Sequence, residues 1–250
     1  MRFYYLSAKN LRRNLFLAAL LVFTAATFYA ILIRQPAAVS TTADHSAIVY
    51  QVKTKEKVAA LTFDISWGEE VPKPVLDILK KEDIRCTFFL SGPWVSKHPE
   101  VAKRIAVDGH EVASHGWRHE NYSSFSDEVI KEEIVKAHKV LVETTGRKPN
   151  LIRTPNGDWN ERVVGAISES GYRAIQWSVD SLDWMDIGPA ESSKRVLDRI
   201  TPGAIILMHA SDSAEQTPIS LPNIIKGLKE KGYKLVTVSE LLEYGRGVAE

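Results

Sequence analysis

Two histidines four positions apart, His115 and His119, can turn two imidazoles towards one ion from a helix turn or a tight loop. A pair of surface histidines is the plain alternative to metal ligands. Their position just after a short apolar run, beside Trp117, favours ligands. Asp64 ends the run Val58–Phe63, an apolar setting in which a carboxylate needs partners or takes up a proton. It either caps the following turn or serves as a general base on water, with Arg153 as the counter-ion that keeps it charged and aligned. His209 follows Ile205-Ile206-Leu207-Met208 and is either a satisfied core histidine or a proton donor. Asp183 is the candidate to fix its tautomer and raise its basicity. A base, an acid and two metal-type ligands together describe hydrolysis of an amide or an ester.

These residues belong to five polar clusters: Leu61–Asp64, His115–His119, Arg153–Gly157, Asp180–Trp184 and Leu207–His209. Each follows a short apolar run, and such a run reads as a buried parallel strand. The spacing predicts seven strands: Val58–Phe63, Thr87–Leu90, Glu111–Ala113, Leu151–Arg153, Ala174–Val179, Ala204–Met208 and Lys234–Thr237. Helices fill most of the gaps. One has Ser126 as its N-cap, Ile130, Ile134, Ala137 and Leu141 on its apolar face and Gly146 as its stop; another runs from Glu161 to Ser170. Alternating strands and helices imply right-handed crossovers and an α/β fold with a parallel sheet. An open doubly wound sheet and a barrel both fit seven strands. Clusters after most of the strands favour a barrel mouth, since an open sheet gathers its site at a switch point.

With 250 residues, 44% hydrophobic and 25% charged, the chain has the composition of one globular α/β domain. A formal charge of +1 gives no general attraction to nucleic acid, which is excluded as an expected partner. The single cysteine, Cys86, rules out an intrachain disulfide. From Leu15 to Ile33 there is no charge, a length that matches a bilayer core and exceeds the apolar region of a cleavable signal, its rival reading. Lys9, Arg12 and Arg13 precede the run and only Arg34 follows it, so the N-terminus is expected in the cytoplasm and the rest outside. The expected organisation is a cytoplasmic stretch at 1–14, a transmembrane anchor at 15–33, a linker at 34–47 and a domain at 48–250. A monomer, single-pass in the membrane, is expected.

Trp67, Trp94, Trp117, Trp159 and Trp184 all follow predicted strands. They serve either as platforms for sugar rings or as packing lids.

Taken together and in order, the five clusters resemble the polysaccharide deacetylase family, also called the NodB homology domain or carbohydrate esterase family four. The resemblance covers roughly Lys57–Leu242. It implies a distorted (β/α)7 barrel and removal of acetyl groups from acetylated sugars with a divalent metal, usually zinc. By similarity, Asp64 matches the catalytic base, His115 and His119 the metal ligands, and Arg153 the residue that holds the base. Asp183 matches the acid ahead of a tryptophan, and His209 the catalytic acid. Pro155, Asn156, Trp184 and Trp117 are the expected substrate-binding residues.

Three positions depart from the family pattern. Ile65 stands where the family has a second aspartate that binds the metal directly, Gly116 replaces a serine or threonine, and Asn156 stands where an aromatic residue is common. An isoleucine cannot bind zinc, so metal affinity should fall unless another acid steps in. The run Thr62–Glu69 behind a short anchor is most similar to the sporulation-associated members of the family. That similarity implies acetylated amino sugar in peptidoglycan of the spore envelope as substrate. A glycan-binding protein that lost hydrolysis with the aspartate is the alternative.

Overall fold

The computed structural model describes residues 48–249 and, upstream of them, Leu17 alone. The stretch expected to be cytoplasmic (1–14), the anchor (15–33) and the linker (34–47) lie, Leu17 apart, outside the described residues. Among the described residues no helix is long and apolar enough to cross a membrane.

The central strand is β2, Val58–Ile65, and every residue in it is buried. Full burial follows from covering both faces, and alternation divides its side chains between two cores. Val58 and Ala60 join Phe89, Ala113, Leu151 and Ile205 in an inner core made by several strands. Ala59, Leu61, Phe63 and Ile65 join an outer core with residues of the surrounding helices, among them Val75, Leu76, Leu79, Ile105 and Leu141. Thr62 and Asp64 continue the inner row towards the end of the strand.

Around β2 the parallel strands are β3 (Thr87–Leu90), β4 (Glu111–Ser114), β5 (Leu151–Ile152) and β6 (Arg173–Ala174) on one side, and β8 (Ala204–His209) on the other. Strand β7 (Val179–Asp180) pairs with β8, and β9 (Lys234–Val236) pairs with the first residues of β2. A parallel bridge between Val49 and Ile175 joins the chain entering the sheet to the segment after β6. The sheet therefore curls round on itself as a half-barrel with a loosely paired seam.

Two differences from the expected strands have local causes. The expected strand Ala174–Val179 is split into β6 and β7, because the backbone between them bonds elsewhere: Gln176 N–H donates to the Val49 carbonyl at 2.7 Å, and the Gln176 carbonyl accepts from Arg153 at 3.0 Å. Two further strands, β1 (Gln51–Lys53) and β10 (Arg246–Val248), pair antiparallel with each other, and β1 pairs with β8. They are short, polar and exposed in part, so no apolar run announces them.

The helices lie where hydrophobic periodicity places them. Helix α1 (Pro72–Lys81) follows β2; α2 (Gly92–Lys97) and α3 (Pro99–Val107) follow β3. Helix α4 (Asp127–Thr145) starts at Ser126, whose side chain accepts from the Val129 N–H, and ends at Gly146 with φ 69°. That left-handed turn suits glycine. Helix α5 (Glu161–Glu169) is capped by Asn160, which accepts from the Val163 N–H at 3.0 Å. Helices α6 (Pro189–Arg199), α7 (Thr217–Glu230) and α8 (Val238–Leu242) complete the layer.

Candidate active site

Because the strands of the parallel sheet point the same way, the C-terminal ends of β2, β4, β5, β7 and β8 reach one rim, and the five polar clusters meet there. Asp64 and His209 are direct register partners across β2 and β8.

Asp64 is buried, and its Oδ1 accepts from Arg153 Nη1 at 2.7 Å. The same Nη1 reaches Thr62 Oγ1 at 2.9 Å, Nη2 reaches the Gln176 carbonyl, and the guanidinium lies 4.1 Å from the centroid of the Phe89 ring. Arg153 is fully buried in the inner core, so it arrives aligned. Burial works against ionisation of Asp64, but the charge of Arg153 above all outweighs it and holds the carboxyl below the ordinary carboxylate range.

His115 follows the last residue of β4 and is buried. Its Nδ1 lies 2.8 Å from the Arg153 carbonyl, which can only accept, so Nδ1 carries the proton and Nε2 is left bare. Burial pushes this imidazole down to about 4, which keeps it neutral at neutral pH. Its Nε2 lies 3.8 Å from Asp64 Oδ2, and its ring centroid is 5.4 Å from that of His119. Trp67 packs edge-on against His119 at 5.3 Å.

The loop between the two histidines is set by packing. Gly116 has φ 73°, and the Tyr122 hydroxyl fills the space where a Cβ would stand, which accounts for glycine there. Glu133, buried on α4, accepts from the Arg118 N–H at 2.7 Å and from Arg118 Nε at 2.9 Å. The sequence reading missed Glu133; an acid next to Ile134 on the apolar face of α4 was its signal.

His209 Nδ1 lies 2.8 Å from Asp183 Oδ1, and the His209 N–H donates to Oδ2 at 2.8 Å. Burial alone would lower this imidazole, but Asp183, with Asp64 and Asp180, raises it above the ordinary histidine range. Asp183 opens a short 3-10 turn, Asp183–Met185, flanked by Leu182 and Asp186, both in left-handed backbone (φ 53° and 51°). Strain of this kind persists where the surroundings over-determine it. Here it turns Asp183 inward and leaves Trp184 exposed. Two further residues that the sequence reading missed, Thr217 and Gln216, bond to Asp183.

Pro155 is buried and Asn156 exposed in the turn after β5; Asn156 Nδ2 donates to Asn121 Oδ1 at 2.8 Å. Trp117 packs elsewhere, with Gly92 at its edge and Lys136 4.2 Å from its ring centroid. Ile65 is fully buried in the outer core with Phe63 and Leu90. Glu69 is paired with Lys73 at 3.4 Å and with His98 at 3.6 Å. Among the described residues no group of three His, Cys, Asp or Glu is placed to hold a metal ion. The donor set that does fit a divalent cation is the pair His115 and His119, one protein ligand short of a three-ligand catalytic zinc site.

The family model for polysaccharide deacetylase matches residues 51–175. A Bacillus cereus protein named peptidoglycan-N-acetylglucosamine deacetylase is 34% identical over 200 residues, 79% of this chain and 93% of its own. A Listeria monocytogenes protein of the same name is 38% identical over 77% of this chain, but this chain spans only 40% of its length, and 61% of an uncharacterized Bacillus subtilis relative. Among solved structures, a CE4 family pseudoenzyme from Bacillus anthracis superposes with a TM-score of 0.76 at 34% identity, covering 80% of this chain and 70% of that one. A mutant of that protein is described as having restored enzymatic activity. On the matched model, the relatives and the fold, this chain belongs to the CE4 polysaccharide deacetylase family.

Proposed function

We propose that this chain is a hydrolase that removes acetyl groups from N-acetylated amino sugars of peptidoglycan, held at a membrane by residues 15–33 with the domain outside. The observation that carries the reading is the pairing of Asp64 with His209, a carboxylate kept ionised beside an imidazole kept protonated. Environments that push two groups apart in this way assign a base and an acid. Asp64 takes a proton from water, the water oxygen adds to the acetyl carbonyl, and His209 protonates the nitrogen as the C–N bond breaks. The products are acetate and a free amine. Arg153 holds Asp64 ionised, and Asp183 keeps the His209 proton on the nitrogen facing the groove. A divalent cation held by His115 and His119 would polarise the acetyl carbonyl.

Peptidoglycan as substrate rests on the relatives' names. Action at the spore envelope rests on the similarity of Thr62–Glu69 to sporulation-associated members, and the membrane position on the run Leu15–Ile33. A second reading, a glycan-binding pseudo-deacetylase, is favoured by Ile65 in place of a metal-binding carboxylate and by the similarity to a pseudoenzyme. Acetate release from peptidoglycan, with zinc supplied and Asp64→Asn as the control, separates the two. Release above the control supports hydrolysis; glycan binding with no release supports the second reading.

A further inference from the structure

Asp183, against which His209 rests, is itself held from the start of α7. Its Oδ2 accepts from Thr217 Oγ1 at 2.7 Å as well as from the His209 N–H, while its backbone carbonyl accepts from Gln216 Nε2 at 2.6 Å. Asp183 and Thr217 are both fully buried, and Gln216 nearly so. Thr217 is the first residue of α7, where a hydroxyl usually serves its own helix, yet its bond goes to a residue 34 positions earlier.

We propose that Thr217 is a positioning residue for the acid, its hydroxyl fixing which Asp183 oxygen faces the His209 ring and so how readily that imidazole gives up its proton. The inference rests on the deacetylase reading for its catalytic meaning, and on geometry alone for its effect on His209. The charged and titratable groups facing His209 are Asp64 from β2, Asp180 and Asp183 from the β7 end and His119 from the loop after β4. Arg195 approaches through the Asp180 carbonyl. Of these groups only Asp183 bonds to Thr217, so a change at Thr217 reaches His209 through Asp183. Loss of the hydroxyl leaves Oδ2 with one donor fewer, so more negative charge falls on the ring of His209.

The test is an NMR titration of the His209 ring in the full chain, with His209→Gln to assign the signal. In Thr217→Val the midpoint is expected to rise by about 0.5 pH unit, the equivalent of one neutral hydrogen bond shared between the two groups. With that rise, kcat should fall by about two- to threefold at unchanged KM, and Thr217→Ser should restore both. If Thr217→Val does not fold, Thr217→Ala is read in the same way. A folded valine or alanine variant whose His209 titrates as in the wild type overturns the proposal. A wild-type chain that releases no acetate, while its His209 midpoint still depends on Thr217, sinks the deacetylase reading and leaves this one standing.

Discussion

The pairing of Asp64 with His209 places a carboxylate that loses its proton more readily than usual beside an imidazole that holds its proton more tightly than usual, at the end of two adjacent parallel strands. Each is held by a partner just beyond a strand of the same sheet, Arg153 after β5 for the carboxylate and Asp183 after β7 for the imidazole. Two such pairs on adjacent strands make a site that can accept a proton at one end and deliver one at the other.

Removing the base separates chemistry from stability. Asp64→Asn should lower acetate release by about 10²–10⁴-fold while keeping an acceptor for Arg153. Asp64→Ala leaves the buried guanidinium unpaired and should cost about 3–5 kcal/mol in urea denaturation. An alanine variant as stable as the wild type would show that the ion pair is not the support described above.

The pH profile of kcat/KM should be a bell. Its acid limb lies below the ordinary carboxylate range, because Asp64 stays ionised there, and its basic limb lies above the ordinary histidine value, because His209 holds its proton longer. The sign carries into stability. A raised imidazole stabilises the fold fully below its unfolded value of about 6.5 and loses that contribution as pH rises through the folded one. The Tm difference between wild type and His209→Gln should therefore shrink as pH rises above about 6.5; a constant difference contradicts the assignment.

Ile65→Asp adds the carboxylate that the family pattern has at this position. Without metal the buried acid should cost about 1–3 kcal/mol. With zinc the variant should bind at least about tenfold more tightly than the wild type and recover Tm. Calorimetric zinc titration of both proteins decides it, and equal affinities would remove Ile65 as the cause of the missing donor.

Trp67 and Trp184 are 46% and 50% exposed at the rim, so their surface is open to a sugar ring. Alanine at either should weaken glycan binding by about 2–10-fold and change stability by no more than about 0.5 kcal/mol. Trp117→Ala should do the reverse, because that ring is packed against Gly92 under Lys136. Glycan titration and denaturation of all three variants provide the check.

The anchor is tested by fractionation. A chain lacking residues 1–33 should leave the membrane pellet for the soluble fraction, whereas the full chain should resist extraction by salt. Equal distribution of the two contradicts a spanning segment.

By itself the sequence determined which polar residues end the apolar runs and at which edge they stand. Parallel strands separated by helices all run the same way, so Asp64, His115, Arg153 and His209, each ending or just following an apolar run, reach one rim whatever the strand order. Strand order and partners had to come from the tertiary structure. That β2 lies against β8, that Arg153 passes through the inner core to Asp64 and breaks β6 from β7 on the way, and that Gly116 makes room for Tyr122 are contacts between distant segments. Glu133 and Thr217 went unread for the same reason: a lone acid on a helix and a threonine at a helix start have many ordinary explanations. Local periodicity reports which face of an element is buried. Only packing decides what that face meets.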